Sequence, residues 1–204
     1  MKTFGKLAWP YIGWIAVFIV APMLLIMLYA FTREGNSVLT LQFTLSNFTR
    51  FFSDSIFPNV LARSLKIAVM TTVLCILLGY PAAYIISRLS PKQQSLAILL
   101  VTLPMWINML IRTYAWRGIL GYTDLDSEIK VLIGMVYNFV PFMIIQIHTS
   151  LTKMDQSLIV AAQDLGASKL QTFLRVTLPL SMPGVIAGIT LVFLPAVSSF
   201  FIPK

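Results

Sequence analysis

Val160-Ala161-Ala162-Gln163-Asp164-Leu165-Gly166, followed by Val176-Thr177-Leu178-Pro179, is the stretch on which the reading of this chain turns. Its spacing predicts a compact helix–turn–helix. Asp155 is placed to cap the first helix, because its carboxylate can accept from the orphan amides of a first turn. Leu158, Ile159, Ala161, Ala162 and Leu165 give that helix a small-residue face. Gly166 suits the position just past the helix end, where the backbone turns left-handed. Ser168 and Gln171 have the spacing of a capping box for a second helix. The second helix carries Leu170, Phe173, Leu174 and Thr177 on one face. Alanines let another surface approach a helix backbone, and Leu158 and Leu165 can fill pockets on that surface, a helix-in-groove arrangement. A loop folded against its own bundle would have the same composition.

The hairpin is polar-edged, yet what flanks it is apolar. Five runs are long enough to cross about 30 Å of hydrocarbon as helices: approximately 9–31, 63–87, 95–119, 131–149 and 183–202. In lipid the backbone must satisfy its own hydrogen bonds, so these runs are expected to be helical. The chain is 58% hydrophobic and 11% charged, against roughly 25% charged in a soluble domain. One transmembrane domain over residues 1–204 is the expectation, with 150–182 as its hairpin. Lys2 and Lys6 precede the first run, but the run is too long for a signal peptide and no small-x-small site follows it. It is expected to be a retained span.

The breaks between runs are legible. Arg33-Glu34-Gly35-Asn36-Ser37 is turn-rich, and Thr44-Leu45-Ser46-Asn47-Phe48 reads as a cap entering a short amphipathic piece. Ser87 to Lys92 is a tight basic hairpin. Gly121 to Glu128 is an acidic loop. Pro22, Pro81, Pro104, Pro141 and Pro195 fall in or near the spans, where kinked packing and gating are both open readings. Pro179 and Pro183 are expected to bracket the return of the hairpin to the membrane.

The net charge of +8 comes from thinly spread basic residues. That distribution suits anionic lipid headgroups and argues against nucleic acid as a partner. An N-terminus on the cytoplasmic side divides the 15 basic residues seven to eight between the two faces, so the positive-inside rule does not decide orientation. The one cysteine, Cys75, and the one histidine, His148, cannot make a zinc site of the usual kind. No cluster is available for acid–base catalysis, and no G-x-x-x-x-G-K-[ST] loop is present to cradle a nucleotide. The residues themselves therefore point to neither an enzyme nor a protein that holds a metal or cofactor.

The hairpin resembles the "EAA" coupling loop of permease subunits in binding-protein-dependent ABC importers. That pattern is Glu-Ala-Ala, three residues, Gly, nine residues, Ile, one residue, Leu-Pro. Ala161, Ala162, Gly166, Leu178 and Pro179 match it at full spacing, with Val176 at the Ile position and Val160 where the family has Glu. Gly79 to Tyr84, Leu103 to Asn108, Ile111 to Trp116, Ala161 to Ala167 and Leu194 to Phe200 resemble the spermidine/putrescine permeases. The resemblance implies an all-α, type I importer bundle. The family normally has six spans, so on this reading five are present and a sixth is missing after Lys204.

The resemblance further implies a pseudo-two-fold pair with a second permease subunit and a dimeric ABC ATPase receiving the hairpins. It also implies an extracytoplasmic substrate-binding protein on the outer face. The implied location is a bacterial cytoplasmic membrane, with the N-terminus and the hairpin cytoplasmic. Residues implied in ATPase coupling are Val160, Ala161, Ala162, Asp164, Leu165, Gly166, Leu178 and Pro179.

No Asp or Glu lies within the apolar runs, so a polycation path would rest on aromatic and amide groups. Tyr80, Tyr84, Trp106, Asn108, Tyr114, Trp116, Tyr137 and Asn138 are the candidates. Aromatic faces attract ammonium groups by roughly 0.5–2 kcal/mol, and an amide in a span faces the bundle or a cavity. Interfacial aromatic belts are the competing reading. Arg112 and Arg117 suit either the outer interface or the binding protein. Another small solute, an oxyanion or organic cation, and a truncated inactive paralogue are the alternatives to polyamine transport.

Overall fold

The computed structural model describes residues 2–32, 43–53 and 56–199. Every element of length among them is a helix. The chain divides into two compact units, Met1–Leu61 and Ala62–Lys204.

In the first unit, α1 (Lys2–Ile15) runs through a π-helical turn, Ala16–Val20, into α2 (Ala21–Ala30). Together they hold one uninterrupted apolar span, Trp9–Ala30, none of it buried within the structure. The π turn has a local cause. Pro22 has no amide hydrogen, and its ring would strike the carbonyl four residues back in a regular helix. Ala21, just before it, donates to the carbonyl of Ala16, five residues back, and this wider turn makes room for the ring. The span ends in orphan carbonyls. Asn47 Nδ2 donates to the carbonyl oxygens of Ala30 at 3.1 Å and Thr32 at 2.9 Å. Asn47 lies on α3 (Ser46–Ser53), whose Phe48 ring sits 5.3 Å from that of Phe31. The expected Arg33–Ser37 turn lies outside the described residues.

The second unit carries three long helices: α4 (Ile56–Ser87), which begins at the close of the first unit, α7 (Ser127–Lys153) and α10 (Leu178–Ser198). Between them lie α5 (Pro91–Thr102), α6 (Met109–Gly121), α8 (Ser157–Asp164) and α9 (Lys169–Thr172). Lipid offers no hydrophobic drive for helices to associate, so close packing by small residues takes its place. Ala68, Thr71, Cys75, Gly79 and Ala83 line one face of α4, and the non-glycines among them are fully buried. A Cβ at Gly79 would lie 2.9 Å from Met143 Cγ on α7. On α10, Gly184 and Gly188 do the same job. A Cβ at Gly184 would lie 2.7 Å from the carbonyl oxygen of Gln146, and one at Gly188 would lie 2.5 Å from Met143 Sδ. The α7 helix is therefore clasped on two sides by chains that bring little more than backbone.

Polar contacts add register. The hydroxyls of Tyr80 (α4) and Ser181 (α10) are 2.8 Å apart and buried. At the far end of α4, Arg63 and Lys66 both pair with Glu128 at 3.2 and 3.0 Å. That cluster is exposed, so solvent screens it and it adds little to stability.

Two expectations need correction. The run 95–119 is not one helix. α5 ends in a 3-10 turn at Leu103–Trp106, and α6 leaves at 88° to it. Pro104 is the cause on the upstream side, because it denies a donor where the helix would continue. Asn108 is the cause downstream, where it starts a new helix. The run 183–202 begins earlier than expected. A continuous helix covers Lys169–Ser198, so Pro179 and Pro183 do not break the chain. A second π turn, Phe173–Thr177, precedes Pro179, and Leu178 donates to the carbonyl of Phe173. The solution used at Pro22 is repeated here. Among the described residues, four helices are long and apolar enough to cross a membrane, and the bent pair is a fifth candidate.

Gly184→Ala forces a methyl group against α7, and overpacking of this kind costs about 1–3 kcal/mol. Gly118→Ala meets nothing within 4 Å and should be neutral or stabilising by about 0.5–1 kcal/mol. Thermal melts of the detergent-solubilised protein are expected to show a lower midpoint for the first variant only.

Candidate functional site: a helical hairpin and a broken helix

The hairpin forms at α8 and α9. Asp155 Oδ1 accepts from the Ser157 amide at 2.9 Å, from one residue ahead of the N-cap that the sequence suggests for it; that position is Gln156, whose side chain makes no cap bond. That hydrogen bond holds the Asp155 carboxyl below its ordinary range. Gly166 has φ of +84°, and the bonds around it make a complete Schellman motif. The Gly166 amide donates to the Gln163 carbonyl at 2.9 Å, and the Ala167 amide donates to Ala162 at 3.1 Å. Ser168 and Gln171 form the capping box, with amide-to-side-chain distances of 2.9 and 3.3 Å.

Ile159 is buried and anchors α8. Leu165 is 89% exposed, and Val160, Leu158, Leu170 and Leu174 are also exposed. Ala161 and Asp164 are exposed, Ala162 half-buried. The tip therefore presents an apolar surface around a fixed turn. Leu178 packs against the core, while Pro179 is exposed on the helix that follows.

Two residues expected in a substrate path lie at the base of the hairpin. The Phe173 ring meets Tyr84 edge-on at 5.3 Å and Tyr80 edge-on at 5.8 Å. Tyr80 is buried with its hydroxyl on Ser181, and Tyr84 carries Arg88 on its ring face at 5.1 Å. Both tyrosines brace the hairpin against α4. Their roles depend on Phe173 and Ser181, which the sequence reading did not connect with them.

The break between α5 and α6 gathers two others. Trp106 is 78% exposed. Asn108 Oδ1 accepts from the Leu110 amide at 2.8 Å, so it is an N-cap. The carbonyl end of α5 and its 3-10 turn carry the negative pole of that half-helix.

Tyr114, Trp116 and Asn138 come together in a third place. A cavity of about 280 Å³ lies between α6 and the first half of α7, lined also by Arg117, Lys130 and Val131. Trp116 meets Tyr137 edge-on at 5.1 Å. Asn138 is 6% exposed, and its Oδ1 has no hydrogen-bond partner. Neither Arg117 nor Lys130 is in an ion pair among the described residues, and no acid lines the cavity. Its equivalent radius is roughly 4 Å, which brings a guest charge within ~7 Å of lining charges. Each like charge at that range costs roughly 2 kcal/mol at an effective dielectric of ~20. One cation–π contact returns at most about 2 kcal/mol, so two cations outweigh it. Lys130 was missed as a cavity residue in the sequence. The signal was present, since Ser127, Lys130, Val131, Gly134 and Asn138 recur at helical spacing. Arg112 has Nε and Nη1 buried without a partner, which nothing in the structure explains.

Residues 75–204 match the family described as the binding-protein-dependent transport system inner membrane component. The chain belongs to that family. Two relatives place it among the permeases. The spermidine/putrescine transport system permease protein PotB of Haemophilus influenzae is 38% identical over 93% of this chain and 73% of its own length. Its Escherichia coli counterpart is 40% identical over 94% of this chain and 76% of its own length. A bacterial ABC transporter importing the acidic polysaccharide alginate has the same fold. The TM-score is 0.71 over 96% of this chain and 71% of that one, at 22% identity. The chain is thus a multi-pass inner-membrane permease with an all-α importer bundle, similar to the spermidine/putrescine permeases.

A left-handed φ costs an L-residue about 1–2 kcal/mol, so Gly166→Val should speed amide exchange in the hairpin by roughly 5- to 30-fold. Exchange in α7 should not change, and Gly166→Asn should lie between. The Asp155 carboxyl is depressed on folding, so its contribution is full above the ordinary carboxylate pKa. It is lost as pH falls through the depressed value. Protection at Ser157–Ile159 should hold down to the ordinary carboxylate range and fall only below it, and Asp155→Asn should remove that step.

Proposed function

We propose that this chain is the transmembrane subunit of an ATP-driven polyamine importer, forming one half of the path for spermidine or putrescine. The observation that carries the reading is identity of 38–40% over more than nine-tenths of the chain to permeases named for those substrates. The partners are a second permease subunit, an ATPase dimer and an extracytoplasmic binding protein. The hairpin at 150–182 is the cytoplasmic ATPase contact, with the N-terminus on the same side. ATP hydrolysis belongs to the partner.

In this reading Leu165 and its apolar neighbours seat in a groove of the ATPase. Closure of the ATPase dimer then displaces α8 and α9. Because α9 continues into α10 without a joint, the displacement passes into a membrane helix that is clasped to α7. Two discrete packings of such a bundle are the basis of alternating access. Val160 leaves the groove contact without the carboxylate that the family pattern has there, so apolar burial carries more of the contact.

The α5–α6 break is the proposed polyamine contact. Broken helices build transporter sites, with carbonyl ends facing cations and amide ends facing anions. The carbonyl end of α5 and the exposed Trp106 indole together suit an ammonium group.

Uptake of labelled spermidine and putrescine should be lost in cells deleted for this chain and return when it is restored. Unchanged uptake in the deletion strain would remove the polyamine assignment. Trp106→Ala should weaken apparent affinity by about 2- to 30-fold, the range of one cation–π contact, and Trp106→Phe should recover most of it. Leu165→Ala removes a side chain whose burial is worth about 1.5–3 kcal/mol. It should loosen the ATPase and lower coupled hydrolysis while leaving binding-protein docking intact.

A further inference from the structure

The cavity between α6 and α7 is not explained by polyamine transport. It carries Arg117 and Lys130 without acidic partners, and the nearby acid Glu128 is committed to Arg63 and Lys66. Asp124 and Asp126 are exposed and line no part of it. A polycation is repelled there. The remainder of the lining is apolar and aromatic, with Leu110, Leu120 and Val131 beside Trp116. Deep in the same cavity, Asn138 offers an acceptor with no donor. The fitting guest has an anionic group for the two cations and a hydrocarbon body for the rest.

We propose that this cavity is a binding site for an anionic phospholipid, with its phosphate held between Arg117 and Lys130. The upper acyl chain lies along Leu110, Leu120 and Val131. The cavity occupies the end of α7 away from the hairpin, so a cytoplasmic hairpin puts the lipid in the outer leaflet. Only that leaflet assignment rests on the function proposed above. Binding itself does not.

The test uses the full chain purified in mild detergent, with native mass spectrometry counting retained lipid. Phosphatidylglycerol and phosphatidylcholine of identical acyl chains are compared. Two juxtaposed cations favour the anionic headgroup by roughly 30-fold, and that preference is the expected result. The double variant Arg117→Gln, Lys130→Gln should abolish it. Lys92→Gln with Lys153→Gln, equal in charge change and exposed elsewhere, should preserve it. Gly134→Leu adds bulk where a Cβ meets nothing within 4 Å. It fills the cavity without altering charge, and it should exclude the lipid in a protein that still folds. Preference surviving in the first double variant, or lost equally in the second, overturns the proposal. Displacement by millimolar inorganic phosphate would make this a free-anion site. Competitive displacement by spermidine would make it part of the polyamine path. Either outcome would also overturn the lipid assignment.

Discussion

The structure depends on the absence of side chains between α7 and α10. Gly184 and Gly188 leave room for the backbone at Gln146 and for Met143 to lie against α10. In water, burial of apolar surface would hold such helices together. In lipid that drive is missing, and dispersion contacts at close range must supply it. Gly79 on α4 repeats the device against the same methionine. Met143 is thus the point where three spans converge. An unbranched thioether suits that place, because it adapts to three surfaces at once.

Proline handling is the second organising fact. Pro22 and Pro179 each follow a π turn whose last bond skips back five residues. Pro104 has no such turn and sits at a true break. At Pro179 the helix is carried through, and the hairpin remains joined to a span. At Pro104 the helix stops, and carbonyl groups are left for other partners. One residue type thus gives a continuous rod in one place and an opening in another.

Much of this was legible in the sequence. The hairpin followed from Asp155, Gly166 and the Ser168–Gln171 pair, since each acts on its own few neighbours. The helical character of the spans followed from hydropathy and the rule that lipid leaves no backbone group unsatisfied. What the sequence concealed was pairing across elements. Nothing in the sequence around Tyr80 and Tyr84 announces that Phe173 and Ser181 lie beside them. Lys130 looks like a loop cation until α6 brings Arg117 and Trp116 to the same cavity. The continuity through Pro179 was hidden for another reason: a π turn has no compositional signature, only a geometric one.

The uninterrupted helix from Lys169 to Ser198 has a mechanical consequence. Its 30 residues make a rod of about 45 Å, gripped by α7 near Gly184 and Gly188. That grip lies past the midpoint, with arms of roughly 26 Å toward the hairpin and roughly 18 Å toward the far end. The rod is a lever with its fulcrum inside the membrane. A sideways push on the hairpin reappears at the opposite end reversed in direction and reduced to about two-thirds, by the ratio of those arms. In the importer proposed above, opening on one side and closing on the other would then be a single motion.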